Sequence, residues 1–516
     1  MIRACYGMFL ILLTSLSVVA ETRHVPDDFP TIQAAIDASA VGDTVLVAPG
    51  RYAERIRLTT GLTLKSDGKD QAGVQGLKRA EATILDGGGN VGDQPGITMA
   101  EDSVLDGFTV TAIGQYDDAV WQQHFDSKGE QLGDDEGSVQ AEGTVPAIAI
   151  RGISCTVTNC IVHHNGDVGI GILGSSSSKK PILISNNTAY RNLGGGIGVA
   201  ESAAAIIQNN RCKLNLRAGI GCRAASPVIL DNECFQNVRA GIGCREGARP
   251  IIRRNKCFQN RRAGIGIRME NTAPIVEDNE CYENEMAGIG SRDHASPILK
   301  QNLCHHNKMA GIGCDGSAPL IVQNACRDNL MAGIGLRMAA DAVIHQNQCQ
   351  RNKLVAIGIT QGSTAMVTDN KLSRTGGAPP LIAVKDGSIA TIQNNQIAGG
   401  GVAGILVQGK VKIDGNQFQG AGKNQGNAIW VWEGSTANIT NNQFDQYRTA
   451  VNASKASVNV TGNTIKRFQK VAIIVKSSIQ PPLVHSNHAI SSNPDTQVVD
   501  ITGMPGIASN NNIINE

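Results

Sequence analysis

An asparagine followed two residues later by cysteine or an apolar residue recurs at Asn187, Asn210, Asn232, Asn255, Asn279, Asn302, Asn324, Asn347 and Asn370, in steps of 22 to 24 residues. The series continues less regularly through Asn395, Asn416, Asn442, Asn463, Asn487 and Asn511, and Asn159 reads as an earlier member. Self-similarity at this period constrains the chain to a solenoid, because one such repeat is too small to bury its own apolar face and must stack on its neighbours.

The content of one repeat, "PVILDNECFQNVRAGIGCREGAR", selects the kind of solenoid. Short alternating runs are broken by Asn and Gly, and no helical spacing is sustained, so each coil reads as three short strands. The leucine-rich repeat has a compatible length but its L-x-x-L-x-L framework is missing. Successive coils then stack as parallel strands about 4.8 Å apart, and equivalent residues form columns.

The segment "VPDDFPTIQAAIDASAVGDTVLVAPGRYAERIRL" (25–58), followed by "ATILDGGG" and "VLDGFTV", resembles the opening of right-handed parallel β-helix proteins of the pectin-lyase-like superfamily, and the Asn repeats carry the likeness over nearly the whole chain. The resemblance implies an all-β, right-handed parallel β-helix with a short N-terminal capping helix, for which "TIQAAIDASA" is the candidate with Ile32, Ala35 and Ile36 on one face. It does not imply one activity, since this scaffold carries lyases, hydrolases, esterases, epimerases, adhesins and accessory proteins.

Alternation within "AGIGCR" places Ala218, Ile220 and Cys222 on one face and Gly219, Gly221 and Arg223 on the other. The apolar set points inward on this reading, so both glycines lie outside. Cys222, Cys244, Ile267, Ser291, Cys314, Leu336 and Ile359 form one core column. Cys212, Cys234, Cys257, Cys281, Cys304, Cys326 and Cys349 form a second. Seven thiols cannot pair off within one column, and no C-x-x-C or histidine partner stands at ligand spacing, so a reduced packing column is favoured over disulfides between coils or a metal stack. The asparagines read as structural, tolerating left-handed turns and bonding along the stack.

The outer columns carry the functional expectation. Arg223, Arg245, Arg268, Arg292 and Arg337 follow the second glycine, with Asp315 between the last two; Arg217, Arg239 and Arg262 precede the first, giving way to Met286, Met309 and Met331. A bare floor between guanidinium rails suits close approach of a ligand rich in carboxylates or sulfates. Trp430 and Trp432 occupy the second-Gly and Arg positions further along and suit a sugar ring or a partner surface. The competing reading is that glycine relieves crowding while arginine keeps the surface soluble.

Residues 1–20, "MIRACYGMFLILLTSLSVVA", have the pattern of a cleaved secretory signal, which implies a secreted or periplasmic protein with no membrane span in the mature chain. Lys+Arg 46 against Asp+Glu 45 leaves no global field to argue for nucleic acid. Residues 21–111 read as N-terminal cap and first coils, and 146–516 as β-helix repeats. Between them, 112–145 form an acidic insertion read as a solvated loop. Calcium is the one cofactor its acids leave open, without the regular spacing of a calcium loop.

The sequence has none of the paired-Asp and Gly-His-Gly runs of polygalacturonase-like enzymes, nor the aspartate-bearing strands of pectin esterases, nor the Arg-x-Pro-x-x-Arg of pectate lyases. The best titratable cluster is Arg292, Asp293, His294, Asp315 and Arg337, and it lacks a convincing acid and base pair. The His163, His164 and His305, His306 pairs lie about six coils apart and cannot share a metal. The expectation is an exported protein that binds an anionic polysaccharide, with processing by a lyase, hydrolase or epimerase activity left open. The alternative is a non-catalytic periplasmic scaffold docking a protein partner, similar to the β-helix factor of copper-enzyme maturation.

Overall fold

The computed structural model describes residues 20–89, 94–127, 145–178, 180–385, 387–422, 425–491, 493, 495–502 and 507–514. The signal segment read at 1–20 lies outside these apart from Ala20. The described chain winds through three parallel sheets of 20, 18 and 19 strands, here called A, C and B, so that each coil contributes one strand to each sheet. In one coil these are Val228–Leu230 in sheet A, Glu233–Phe235 in B and Ile242–Arg245 in C.

The corners follow from local chemistry. Between sheets A and B one residue per coil takes a left-handed conformation, as at Asp231 (φ 55°) and Arg254 (φ 55°), and the next residue is the repeat asparagine. Its side chain turns inward. Asn232 donates from its backbone N and its Nδ2 to Asn255 Oδ1, both at 2.9 Å, and from Nδ2 to Ile207 O at 2.9 Å. The same pattern repeats from Asn187 to Asn511. With its donors and acceptor all engaged, the buried amide has its desolvation offset by hydrogen bonds and fixes the register of each coil on the next.

Asn159 is not a member of this ladder. It holds the preceding left-handed position (φ 55°) and bonds Asp106, while Cys160 takes the ladder position and donates its N–H to Asn187 Oδ1. A second ladder runs along the B–C corner through Asn165, Asn192, Asn215, Asn237, Asn260, Asn284, Asn307, Asn329 and Asn352, all buried. Its asparagines are the "N" of F-Q-N and Y-E-N in the repeat, a signal visible in the sequence but unread there.

Inside, both expected core columns are buried, from Cys222 to Ile359 and from Cys212 to Cys349. The twelve described cysteines are all buried, and none of them stands in a disulfide. Among the described residues three short helices interrupt the coils. Helix α1 (Ile32–Asp37) buries Ile32, Ala35 and Ile36 as its spacing required. Helix α2 spans Lys78–Ala82. Helix α3 (Asp118–Asp126) lies in the segment read as a loop. It forms because Asp117 caps it by accepting from Val120 N–H, and because Trp121 finds an apolar seat on Leu193, Leu216 and Val238. Trp121 Nε1 donates to Leu214 O at 2.9 Å, and the Arg191 guanidinium sits 4.2 Å above the indole. Residues 128–144 of the insertion, with most of the acids considered for calcium, lie outside the described residues.

Candidate functional site

The outer face of sheet C is where the arginine columns were expected, and the structure corrects how it is floored. Gly219, Gly241 and Gly264, expected outside, are interior. A Cβ on Gly241 would lie 2.7 Å from Gly264 O and 2.9 Å from Asn260 Nδ2; the equivalents at Gly219 and Gly264 meet the same groups. The first glycine of each "AGIG" is bare because the second asparagine ladder fills the space beside it. Strict alternation fails because in these coils the strand begins only at the isoleucine, as in Ile220–Arg223, and the two preceding residues belong to the corner. The faces of Ala218 and Gly219 are thereby exchanged: the alanine methyls lie on the outer surface, 3.4 to 3.6 Å from where a Cβ on the next coil's second glycine would stand.

The second glycine is outside as expected. Gly171, Gly198, Gly221, Gly243, Gly266, Gly290, Gly313, Gly335 and Gly358 pair in unbroken register. A Cβ on Gly221 would meet nothing within 4 Å, whereas one on Gly171 would strike Pro146 at 2.6 Å. The open floor therefore starts at Gly221 and consists of one glycine column beside one alanine column.

Both flanking rails are real columns. Arg223 pairs with Arg245, Arg268 with Arg292, Arg292 with Asp315 and Asp315 with Arg337. On the other side the backbone N–H of Arg239 donates to Arg217 O, that of Arg262 to Arg239 O and that of Met286 to Arg262 O, and the series runs on through Met309 and Met331. Burial, and then the positive charges of Arg245 and Arg268, push Arg217 below the usual arginine range, with Asp167 opposing.

Carboxylates stand along this rail: Glu246 lies 3.8 Å from Arg223 Nε and 3.4 Å from Arg245 Nε, and Asp315 forms a two-pronged pair with Arg337 at 2.8 and 2.7 Å. Asp293 and His294 are exposed in left-handed turn positions, with Asp293 3.3 Å from Arg292 Nε, and no acid and base converge there. Trp430 and Trp432 stand in the glycine and arginine columns as expected, their rings edge to face with centroids 5.2 Å apart and Trp432 40% exposed. Between them and the floor, the glycine column becomes Ala383 and Leu406, both buried. The tryptophans lie eight coils, roughly 38 Å, from Gly243, and form a separate feature. His163 and His164 meet through their Nδ1 atoms at 2.6 Å, under Tyr190 and Tyr116.

The family of the right-handed β-helix region matches residues 146–273, 264–379 and 380–516. The chain belongs to that family. No curated protein matches it in sequence. Among solved structures it is similar to a mutant of the periplasmic alginate epimerase AlgG, with 12% identity over 72% of this chain and 82% of that one and a TM-score of 0.34. It is also similar to the pre-mature gene product 12 of bacteriophage phi29 (11% identity, 95% and 71% covered, TM-score 0.47). A third is the alginate lyase from Paenibacillus sp. str. FPU-7 (11%, 78% and 98% covered, TM-score 0.27). These likenesses concern the β-helix. Among the described residues no helix is long and apolar enough to cross a membrane, and no group of three or more His, Cys, Asp or Glu is placed to hold a metal.

Proposed function

We propose that this right-handed β-helix is an exported protein that binds an anionic polysaccharide along the outer face of sheet C. The observation that carries the reading is the in-register floor of Gly221, Gly243, Gly266 and Gly290, bordered by Arg217, Arg239 and Arg262 on one side and Arg223, Arg245, Arg268 and Arg292 on the other. Arginine forks match carboxylate and sulfate oxygens in pairs, and a floor without side chains lets a flat chain lie close enough to use both rails. Stacked like charges repel, so the rails favour an anion, which competes with Glu246 for Arg223 and Arg245. One coil advances about 4.8 Å, close to the length of one pyranose residue, so a polymer along the axis meets a new pair of cations at each sugar.

The test is retention on immobilised uronate and sulfated glycans. The double variant R245E/R268E is expected to lose it, and unchanged retention overturns the reading.

A second reading is favoured by the continuation of one rail as Met286 (42% exposed), Met309, Met331 (40%) and Leu354 (42%). On this reading the face docks a protein, as in a non-catalytic scaffold. Capture of a single partner from periplasmic extract, lost in M286D/M331D but kept in R245E/R268E, would select it.

A further inference from the structure

The outer face of sheet A changes character along the solenoid. From Val228 through Ile251, Ile275, Ile298, Leu320 and Val343 to Met366 its central column is aliphatic. At the following coils that column becomes Thr391, Lys412, Asn438 and Asn459, and the column beside it presents Lys410, Thr436 and Ser457. These side chains, closed at one end by Gln480 and Pro481, line a groove of about 300 Å³. That is the lower end of the size of small-molecule sites, and four coils give it a length of roughly 14 Å.

The groove differs from several other outward columns in how its polar groups are used. In those columns side chains bond along the stack: Lys300 Nζ and the Arg253 guanidinium both meet Glu277, Arg254 forks onto Asp231 and Arg351 onto Asp328. The adjoining column does the same, with Asp414 accepting from Thr440 at 2.7 Å and Asn441 at 3.1 Å. Within the groove, the seven polar side chains of the two columns make no hydrogen bond or ion pair with any described residue. Its lining thus offers two ammonium groups, three hydroxyls and, with Gln480, three carboxamides, with no carboxylate among them. Such a set is matched by a ligand that carries negative charge and many hydroxyls, with Ile389 and Pro481 as apolar contacts for a ring face.

We infer that this groove is a second binding site, on a different face from the arginine floor, for a short acidic oligosaccharide bearing carboxylate or sulfate. The lysines supply charge without the rigid fork of arginine, so the site reads the sign of the ligand and its hydroxyl pattern rather than one oxyanion geometry.

The experiment uses the full mature chain carrying R245E/R268E, so that sheet C is disabled and failure of the one reading is separable from failure of the other. Binding of trigalacturonate, a sulfated chondroitin disaccharide and neutral maltotriose is followed calorimetrically at low salt. At least one acidic probe is expected to bind saturably, with maltotriose at least tenfold weaker, and the preferred acid tells carboxylate from sulfate recognition. Adding K410E/K412E lowers acidic-probe affinity at least tenfold. N438A/N459A, which leaves the charge in place, lowers it severalfold and covers the case in which charge reversal disturbs folding. The inference is overturned by unchanged binding in K410E/K412E with an unaltered melting curve, by maltotriose binding as tightly as the acids, or by no saturable binding at about 1 mM probe. A single-stranded oligonucleotide that outcompetes both acidic sugars overturns it as well.

Discussion

Two glycines separated by one residue are expected to respond to the same substitution with opposite sign. Gly241→Ala places a methyl 2.7 Å from Gly264 O, 2.9 Å from Asn260 Nδ2 and 3.1 Å from Cys234 O, all interior groups that cannot swing away. Overpacking of this kind costs about 1–3 kcal/mol. Moving the Asn260 amide also weakens its bonds to Cys234 O and Asn284 Oδ1, each 3.0 Å long, at about 1 kcal/mol apiece. The total is about 3–5 kcal/mol. Gly243→Ala adds a methyl on the outer surface whose nearest neighbour is the Ala218 Cβ at 3.5 Å, an ordinary contact. There the removal of glycine's freedom in the unfolded chain stabilises by about 0.5–1 kcal/mol. Because a solenoid need not unfold as one unit, amide hydrogen exchange at Ile242 and Ile265 accompanies chemical denaturation as the readout. Comparable destabilisation by both variants, or tolerance of both, refutes the assignment of the two glycine columns to opposite sides of the wall.

Asn260→Ala deletes the acceptor of Asn237 N and Nδ2 and the donor to Cys234 O and Asn284 Oδ1. The groups left unpaired are buried, so a loss of roughly 2–4 kcal/mol is expected, larger than for Asn352→Ala, which ends the ladder. The described cysteines are all buried, and burial pushes the Cys155, Cys160 and Cys314 thiols up to about 12; because their sulfurs are closed to reagent, they are expected to be inert to iodoacetamide at mildly alkaline pH in the native protein and to react once it is unfolded. Rapid native labelling would contradict a closed core. Burial, then His164 and then Arg51, hold His163 down to about 4. Its folded pKa lies below the unfolded one, so its contribution is complete above about 6.5 and is lost as pH falls toward 4. The thermal midpoint is expected to drop across that window, and H163Q to flatten the drop.

The columns were legible in the sequence because a parallel solenoid converts period directly into adjacency. Once Asn232 stacks on Asn255, Arg223 must stack on Arg245, and the structure adds nothing to that step. The face on which a residue stands was less legible wherever the chain leaves a strand. The two-residue rule held for Ile220, Gly221, Cys222 and Arg223, which form a strand, and failed for Ala218 and Gly219, which do not. The second asparagine ladder carried the missing information, since a buried amide beside Gly241 leaves no room for a Cβ, whereas the open surface beside Gly243 imposes no such limit. Helix α3 was illegible for another reason: its seat is made by Leu193, Leu216 and Val238, which come together only when three coils are stacked.

The corrected floor alters what the face can select. With the first glycines turned inward, the bare strip is one residue wide, and its second lane is alanine rather than backbone. A ligand lying on it can approach closely along one line only, and the reach of arginine then decides what is held. Arg217, Arg239 and Arg262 stand opposite the Arg223 to Arg292 rail at this end, while further along that opposite position is methionine. Contact with both rails is confined to the coils between Arg217 and Arg292. A charged polymer of a few residues should therefore bind as well as a long one, and affinity measured against uronate chain length should level off at about the number of sugars that span those coils.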